Sequence, residues 1–206
     1  MSRTELVFII DRSGSMLPLK SDVVGSFNAL LEEQKKNEDV LVSVIFFSDH
    51  AQLIKDREPI ETIGMLKENE YQPSGCTALL DTLGDAIVHI EQVQHYIRRE
   101  DRAEKTIFAV ITDGMENASQ RYDEQKIQKL LDRKNEDGWQ FLYLASNIDT
   151  YATARDYGFK EELSCSYRST SKGYRSLMKG VNSAINSLRE ENCLAPNWRD
   201  EIENES

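Results

Sequence analysis

The sequence is poor in the features of secreted and membrane-bound proteins. Its 206 residues include 3 cysteines, 4 prolines and 10 glycines. Cys76, Cys165 and Cys193 are too few and too widely spaced for a disulfide framework or a zinc motif, which favours a reducing compartment. The apolar run Leu6–Ile10 is shorter than the apolar core of a secretory signal, and no stretch approaches the length of a membrane span. We therefore expect a cytoplasmic protein.

Positive charge is also scarce. The chain has 25 Lys and Arg against 36 Asp and Glu, and its formal net charge is −11. This balance argues against a general nucleic-acid binder and against binding to an anionic membrane surface, because both need an excess of Lys and Arg. It suits cations and basic protein surfaces. The length and the 39% hydrophobic content fit one globular domain, which we expect over residues 1–192, followed by a frayed acidic C-terminal tail over residues 193–206.

Strand and helix patterns alternate along the chain. Short apolar runs are typical of strands that are buried on both faces, and apolar residues at helical spacing occur between them. This alternation predicts an α/β fold, a doubly wound, Rossmann-like and mostly parallel sheet of about six strands with one antiparallel edge strand and helices on both faces. The predicted strands are Leu6–Ile10, Val40–Phe47, Ala51–Ile54 (the antiparallel edge), Thr106–Thr112, Gln140–Ala145 and Leu163–Tyr167. The predicted helices start near Leu19 and Thr77, cover Asp123–Arg133 and Thr150–Tyr157, and end the domain around Tyr174–Leu188.

Oxygen-bearing side chains follow three of these elements. Asp11, Ser13 and Ser15 come after the first strand, Thr77 precedes the second long helix, and Asp113 follows the strand Thr106–Thr112. Loops at the carboxyl ends of parallel strands lie on one edge of the sheet, where ligands bind in such folds. Carboxylates and hydroxyls are hard ligands, suited to Mg²⁺ or Mn²⁺ rather than zinc. Each residue alone is also typical of a turn or a helix cap.

The motif Asp11-Arg12-Ser13-Gly14-Ser15, with Thr77 and with Asp113 in a Thr-Asp-Gly setting, resembles the metal-ion-dependent adhesion site (MIDAS) of von Willebrand factor type A (vWA) domains. The order of elements is similar to that family over nearly the whole chain, and the compact, stand-alone bacterial members are most similar. The resemblance implies that the three hydroxyls bind the metal directly. The two carboxylates then act largely through bound water, or one of them binds directly.

The resemblance also implies a function. Such a domain is a protein-interaction module and not an enzyme, in which a partner's Glu or Asp completes the coordination of Mg²⁺. Relatives often work beside an ATPase, which makes an ATPase a candidate partner. We expect the rim around the metal to be formed by Met16, Leu17, Tyr71, Met115 and Asn117.

Two alternatives belong to other classes. A haloacid-dehalogenase-like phosphohydrolase also places an Asp at a strand end, but it needs a second acid two residues later, where Ser13 cannot exchange protons near neutral pH. An RNA-associated vWA protein would use a basic cluster formed by Arg98, Arg99, Arg102 and Lys105. Glu100, Asp101 and Glu104 interrupt that cluster, which favours a solvated turn.

Overall fold

Residues 3–205 are described by a computed structural model, in which six strands form one sheet in the order β3-β2-β1-β4-β5-β6. β1 lies at the centre, parallel to β2 and β4, and β5 and β6 continue the parallel arrangement. β3 pairs with β2 in the antiparallel direction at the edge. The predicted fold class is confirmed. The strands are β1 (Thr4–Asp11), β2 (Val40–Phe47), β3 (Ala51–Pro59), β4 (Lys105–Thr112), β5 (Gln140–Ala145) and β6 (Ser164–Ser166).

Helices cover both faces of the sheet. One core cluster joins one face to α1, α5 and α6, and the other joins the opposite face to α2, α3 and α4. Every residue of β1 is buried, as its unbroken apolar run predicts. The helices are α1 (Lys20–Gln34), α2 (Leu79–Tyr96), α3 (Glu124–Glu136), α4 (Thr150–Tyr157), α5 (Ser171–Glu191) and α6 (Asp200–Glu203), and short 3-10 helices cover Gly14–Leu19, Arg99–Asp101 and Glu161–Leu163.

The edge strand β3 is longer than predicted. It extends to Pro59, and its pairing with β2 shifts register between Val42 and Val44 and again between Val44 and Ile45. Arg57 adopts a left-handed conformation with φ of 50° in this irregular segment. The charged, partly buried second half of the strand lacks the apolar pattern from which we predicted the first half, and pairing with β2 holds it in place.

The C-terminal segment packs on the domain, and the prediction that it is frayed is wrong. Trp198 and Ile202 are 5% and 1% exposed and belong to the core cluster with α5. Gly180 makes this contact possible, since a Cβ at that position would lie 2.5 Å from Ile202 Cδ1. The few apolar residues of this acidic stretch have no regular spacing, so the sequence does not reveal the packing.

Within residues 3–205, none of the helices combines the length and the apolar character needed to cross a membrane.

Candidate metal centre

The carboxyl ends of β1 and β4 bring the predicted site residues together. Asp11 ends β1, and Asp113 directly follows β4. The Ser15 hydroxyl donates to Asp113 Oδ1 at 2.7 Å, and Ser13 Oγ lies 3.0 Å from Ser15 Oγ. We call the loop with Ser13 and Ser15 the first loop, the loop with Thr77 the second loop and the loop that begins at Asp113 the third loop. Oxygens of the first and third loops are therefore in direct contact, although 98 residues separate Ser15 from Asp113 in sequence.

Asp11 is held by donors on both of its carboxylate oxygens. Oδ1 accepts from the Ser13 N–H at 2.6 Å, and Oδ2 accepts from the Thr112 hydroxyl at 2.6 Å. α1 begins only at Lys20, so Asp11 is not its cap. These two bonds orient the carboxylate towards the loop that carries the two serines.

Thr77 is available as a ligand. α2 begins at Leu79 with Ala78 as its N-cap residue, and Glu116 Oε2 accepts from the Leu80 N–H at 2.9 Å, so the interpretation of Thr77 as the cap is wrong. The Thr77 hydroxyl forms no hydrogen bond with any residue between 3 and 205. A Cβ built on Gly114 would lie 4.0 Å from Thr77 Oγ1, which places this hydroxyl beside the loop of Asp113.

Main-chain bonds join the first loop to the second. The Gly14 N–H donates to the Gly75 carbonyl at 3.1 Å, and the Ser74 N–H donates to the Arg12 carbonyl at 2.9 Å. Gly75 has a φ of +79°, and a Cβ there would lie 2.0 Å from Asp49 Oδ2, so only glycine fits this turn. These backbone bonds hold the two loops in a fixed relative position.

The second and third loops are joined by side chains as well. The Thr77 N–H donates to Asn117 Oδ1 at 2.9 Å, and the Asn117 N–H donates back to the Thr77 carbonyl at 3.1 Å. In α2, the Asp81 carboxylate accepts three N–H groups of the third loop, those of Gln120, Arg121 and Tyr122. Although burial raises the pKa of Asp81, these donors lower it overall.

Sequence reasoning missed the roles of Asp81 and Glu116. Nothing in the sequence signals that an acid in a first helical turn accepts N–H groups of a polar loop, or that an acid in that loop accepts an N–H group of the helix. Glu116 Oε1 accepts from the Ala118 and Ser119 N–H groups at 2.8 and 2.7 Å, which closes the loop on itself. Both carboxylates hold the third loop against the start of α2, where Thr77 lies.

In the described part of the chain, the buried Asp11 and Asp113 have no basic side chain as a partner. They are 0% and 2% exposed, and neither forms an ion pair within residues 3–205. Burial raises the pKa of Asp11, opposed by the hydroxyl of Thr112 and by Ser13. Burial likewise raises the pKa of Asp113, opposed by the hydroxyls of Ser15 and Ser13. A divalent cation would supply the positive charge that this pair lacks.

The donor set fits a hard cation. It consists of two carboxylates and three hydroxyls, which are oxygen ligands of the kind that Mg²⁺ and Mn²⁺ accept. Between residues 3 and 205 there is no group of three or more His, Cys, Asp or Glu side chains that could hold a metal. The site is therefore unlike zinc sites built from Cys and His. Ser15 is exposed, so the set is open to solvent at one side.

The predicted rim is partly wrong. Leu17 and Met115 are 61% and 71% exposed beside the site, and Asn117 is also exposed. Met16 and Tyr71 are fully buried and belong to the core. The 3-10 helix Gly14–Leu19 turns Met16 inward, and Tyr71 lies beneath the end of β1, with its hydroxyl on the Asp11 carbonyl.

No protein-family model matches the sequence, and no curated protein sequence matches it. Solved structures do match. The vWF domain of the type V pili tip protein Mfa5 from Porphyromonas gingivalis has a TM-score of 0.69 at 9% identity, with 94% of this chain and 98% of that chain covered. The SpRpn10 VWA domain has a TM-score of 0.56 at 10% identity, with 88% and 95% covered. The fold is therefore that of vWA domains.

Larger proteins contain the same fold as one part. Proximal thread matrix protein 1 from the mussel byssus, in a form with a zinc-occupied MIDAS motif, has a TM-score of 0.62 at 18% identity, with 88% of this chain and 45% of that chain covered. The PilB minor pilin from Streptococcus sanguinis has a TM-score of 0.66 at 12% identity, with 89% and 61% covered. This chain thus spans less than two thirds of each of those proteins, and the similarity concerns the fold alone.

Proposed function

We propose that this protein is a divalent-metal-dependent protein-interaction module, which holds one Mg²⁺ or Mn²⁺ at Asp11, Ser13, Ser15, Thr77 and Asp113. The observation that carries the proposal is the pair of buried carboxylates without a cation, surrounded by hydroxyls of which that of Thr77 has no partner in the described chain. The zinc-occupied MIDAS of the byssus protein supports divalent metal binding on this fold.

The same ligands favour an interaction role. Neutral hydroxyls leave a bound cation electrophilic, and Mg²⁺ keeps exchangeable water in its coordination shell. A Glu or Asp from a partner replaces one such water, and Leu17 and Met115 add apolar contact beside it. A partner carboxylate in this position is a hot spot, whose change to Ala costs about 2 kcal/mol or more.

The alternative functions have less support. A phosphohydrolase needs an acid at position 13, where the Ser13 hydroxyl is instead 3.0 Å from Ser15 Oγ. We propose that the domain is not an enzyme, and incubation with a phosphomonoester and Mg²⁺ should release no phosphate. The cytoplasmic location, the ATPase as a partner and the absence of RNA binding stay predictions.

Calorimetry tests the metal site. Wild type should bind one Mg²⁺ or Mn²⁺, and Asp113→Ala should bind none, because no neighbouring charge replaces the lost carboxylate. Asp149→Ala is the matched control, since Asp149 also follows a parallel strand but only caps α4 through the Ala152 N–H. Equal metal affinity in wild type and Asp113→Ala would overturn the assignment.

Affinity capture tests the interaction. Wild type in Mg²⁺ should capture proteins from a native lysate that wild type in EDTA and Thr77→Ala do not. The double variant Leu17→Ser and Met115→Ser should bind metal normally and capture the same proteins less well. If all samples capture the same proteins equally, the interaction surface lies elsewhere.

A further inference from the structure

Three tyrosines lie directly beneath the candidate metal centre. Tyr71, Tyr167 and Tyr174 are 0%, 3% and 0% exposed. They come from three separate parts of the chain, the connection between β3 and α2, the connection between β6 and α5, and α5 itself. The rings of Tyr167 and Tyr174 are 5.9 Å apart and meet edge to face. The sequence alone does not show that these residues share one location.

Two of the three hydroxyls bind the backbone of the metal site. The Tyr71 hydroxyl donates to the Asp11 carbonyl oxygen at 2.6 Å. The Tyr167 hydroxyl donates to the Thr112 carbonyl oxygen at 3.0 Å. The Tyr174 hydroxyl is buried and has no hydrogen-bond partner in the described chain. The cluster therefore contains two phenols that contact the site and one that does not.

Both accepting carbonyls belong to peptide units that adjoin the proposed metal ligands. The carbonyl of Thr112 belongs to the peptide unit that leads into Asp113, and the carbonyl of Asp11 belongs to the unit that leads into the Ser13–Ser15 loop. Because peptide units are planar, a bond to the carbonyl fixes the rotation of the whole unit. The direction in which each carboxylate leaves the backbone depends on that rotation.

We propose that Tyr71 and Tyr167 are positioning residues of the metal centre, which orient Asp11 and Asp113 through these two carbonyls. The proposal rests on the metal site proposed above. A metal affinity depends on how closely the ligands are held in their binding geometry before the ion arrives, and groups that orient ligands contribute strongly to it. The Thr112 hydroxyl extends the arrangement by donating to Asp11 Oδ2 at 2.6 Å.

Phenylalanine variants provide the test. Tyr71→Phe and Tyr167→Phe remove only the hydroxyl and keep the ring contacts, including that of Tyr71 with Phe46 at 5.0 Å. Each should weaken Mn²⁺ binding, measured by calorimetry, by about tenfold. At position 71, 4-aminophenylalanine restores a donor and should recover most of the affinity, which a purely structural role would not predict.

Two matched controls remove a buried phenol hydroxyl that has no partner. Tyr174→Phe acts within the same cluster, and Tyr143→Phe acts on the opposite face of the sheet. Both should bind Mn²⁺ as wild type does. Denaturation in EDTA establishes first that each variant is folded. Tyr71→Phe and Tyr167→Phe are judged independently, so if one of them does not fold, the Mn²⁺ affinity of the other tests the proposal.

The outcomes separate this proposal from the proposed function. If Tyr71→Phe and Tyr167→Phe lose stability in EDTA but bind Mn²⁺ with wild-type affinity, the phenols only satisfy buried carbonyls, and the positioning role is overturned while the metal site stands. If wild type itself binds no Mn²⁺, both proposals fail together.

Discussion

The two ends of β1 each carry a buried acid, but they are neutralised differently. Glu5, near the start of the strand, and Asp11, at its end, are both 0% exposed. Arg57 Nε lies 2.9 and 3.0 Å from the two carboxylate oxygens of Glu5. Within residues 3–205, the donors to Asp11 are one N–H and one hydroxyl. A basic side chain pairs with the acid at one end of the strand, and in the described part of the chain none pairs with the acid at the other end.

We interpret this difference as one between an acid of the fold and a candidate metal ligand. Glu5 is paired with a basic side chain from β3, which lies on the far side of β2 in the sheet. At the carboxyl end, Asp11 accepts from the Ser13 N–H and the buried Asp113 accepts from the Ser15 hydroxyl, and neither has a basic partner within residues 3–205. An arrangement that leaves two buried carboxylates without a cation is unfavourable by itself, and it is the arrangement expected where a metal ion supplies the charge.

The largest predicted effect is at the Glu5 end. Arg57→Gln should reduce the free energy of unfolding by about 3 kcal/mol, because it leaves a buried charge without its partner. The loss should be the same in Mg²⁺ and in EDTA. Urea denaturation measures it, with Arg121→Gln as the control, since Arg121 forms an exposed pair with Asp85 and should cause a much smaller loss. If Mg²⁺ restored the stability of Arg57→Gln, the Glu5–Arg57 pair would not be independent of the candidate metal centre, which would contradict the comparison.

The next effect is at the Asp11 end. Mg²⁺ should stabilise wild type by about 2.7 kcal/mol at a concentration one hundred times its Kd, because the ion binds only the folded state. Thermal denaturation in increasing MgCl₂ measures the effect, with NaCl at equal ionic strength as the control. A melting temperature that does not respond to millimolar Mg²⁺ would count against the site.

Asp113→Asn should raise the stability of the protein in EDTA, whereas most substitutions lower stability. In EDTA it should melt a few degrees above wild type, because it removes a buried carboxylate whose folded-state pKa is raised by burial. Because the folded-state pKa of Asp113 is raised, wild type loses stability as pH rises through that pKa. The difference in melting temperature between Asp113→Asn and wild type should therefore shrink as pH falls and Asp113 takes up a proton. In Mg²⁺ the order should invert. A variant that is less stable than wild type at every Mg²⁺ concentration would show that Asp113 is structural.

The smallest effect on stability concerns Thr77. Thr77→Ala should reduce the free energy of unfolding in EDTA by only about 0.8 kcal/mol, because it removes one buried methyl group and a hydroxyl that has no partner in the described chain. It should nevertheless weaken metal binding measured by calorimetry. Thr112→Ala is the contrast, since it removes the donor to Asp11 Oδ2 and should cost about 1 to 3 kcal/mol of stability as well. Equal effects of the two variants on stability would contradict this distinction.

Much of the fold could be predicted because its strands are continuous apolar runs. The predicted bounds of Val40–Phe47, Gln140–Ala145 and Thr150–Tyr157 agree with the structure, and Gly158 ends the last of these in a left-handed conformation with φ of 89°. The proximity of the first and third loops of the site also followed from sheet topology. Metal binding by these residues stays a prediction.

Other features depend on contacts that have no local pattern. The pairing of Glu5 with Arg57 spans 52 residues and depends on two register shifts between β2 and β3. The inward turn of Met16 depends on a 3-10 helix within a Ser-Gly loop, which has no apolar periodicity. These two features therefore depend on contacts and backbone geometry that the hydrophobic periodicity of the sequence does not reveal.

The irregular edge strand β3 also bears on whether two molecules can pair through the edges of their sheets. A regular exposed edge offers unpaired N–H and C=O groups to which another chain can add a strand. Here the second half of β3 carries Lys55, Asp56 and Arg57, and its pairing and backbone are irregular where φ of Arg57 is 50°. The opposite edge strand, β6, is only 3 residues long. Both edges are poor templates for intermolecular strand addition, so the domain should resist sheet-driven aggregation even at high concentration.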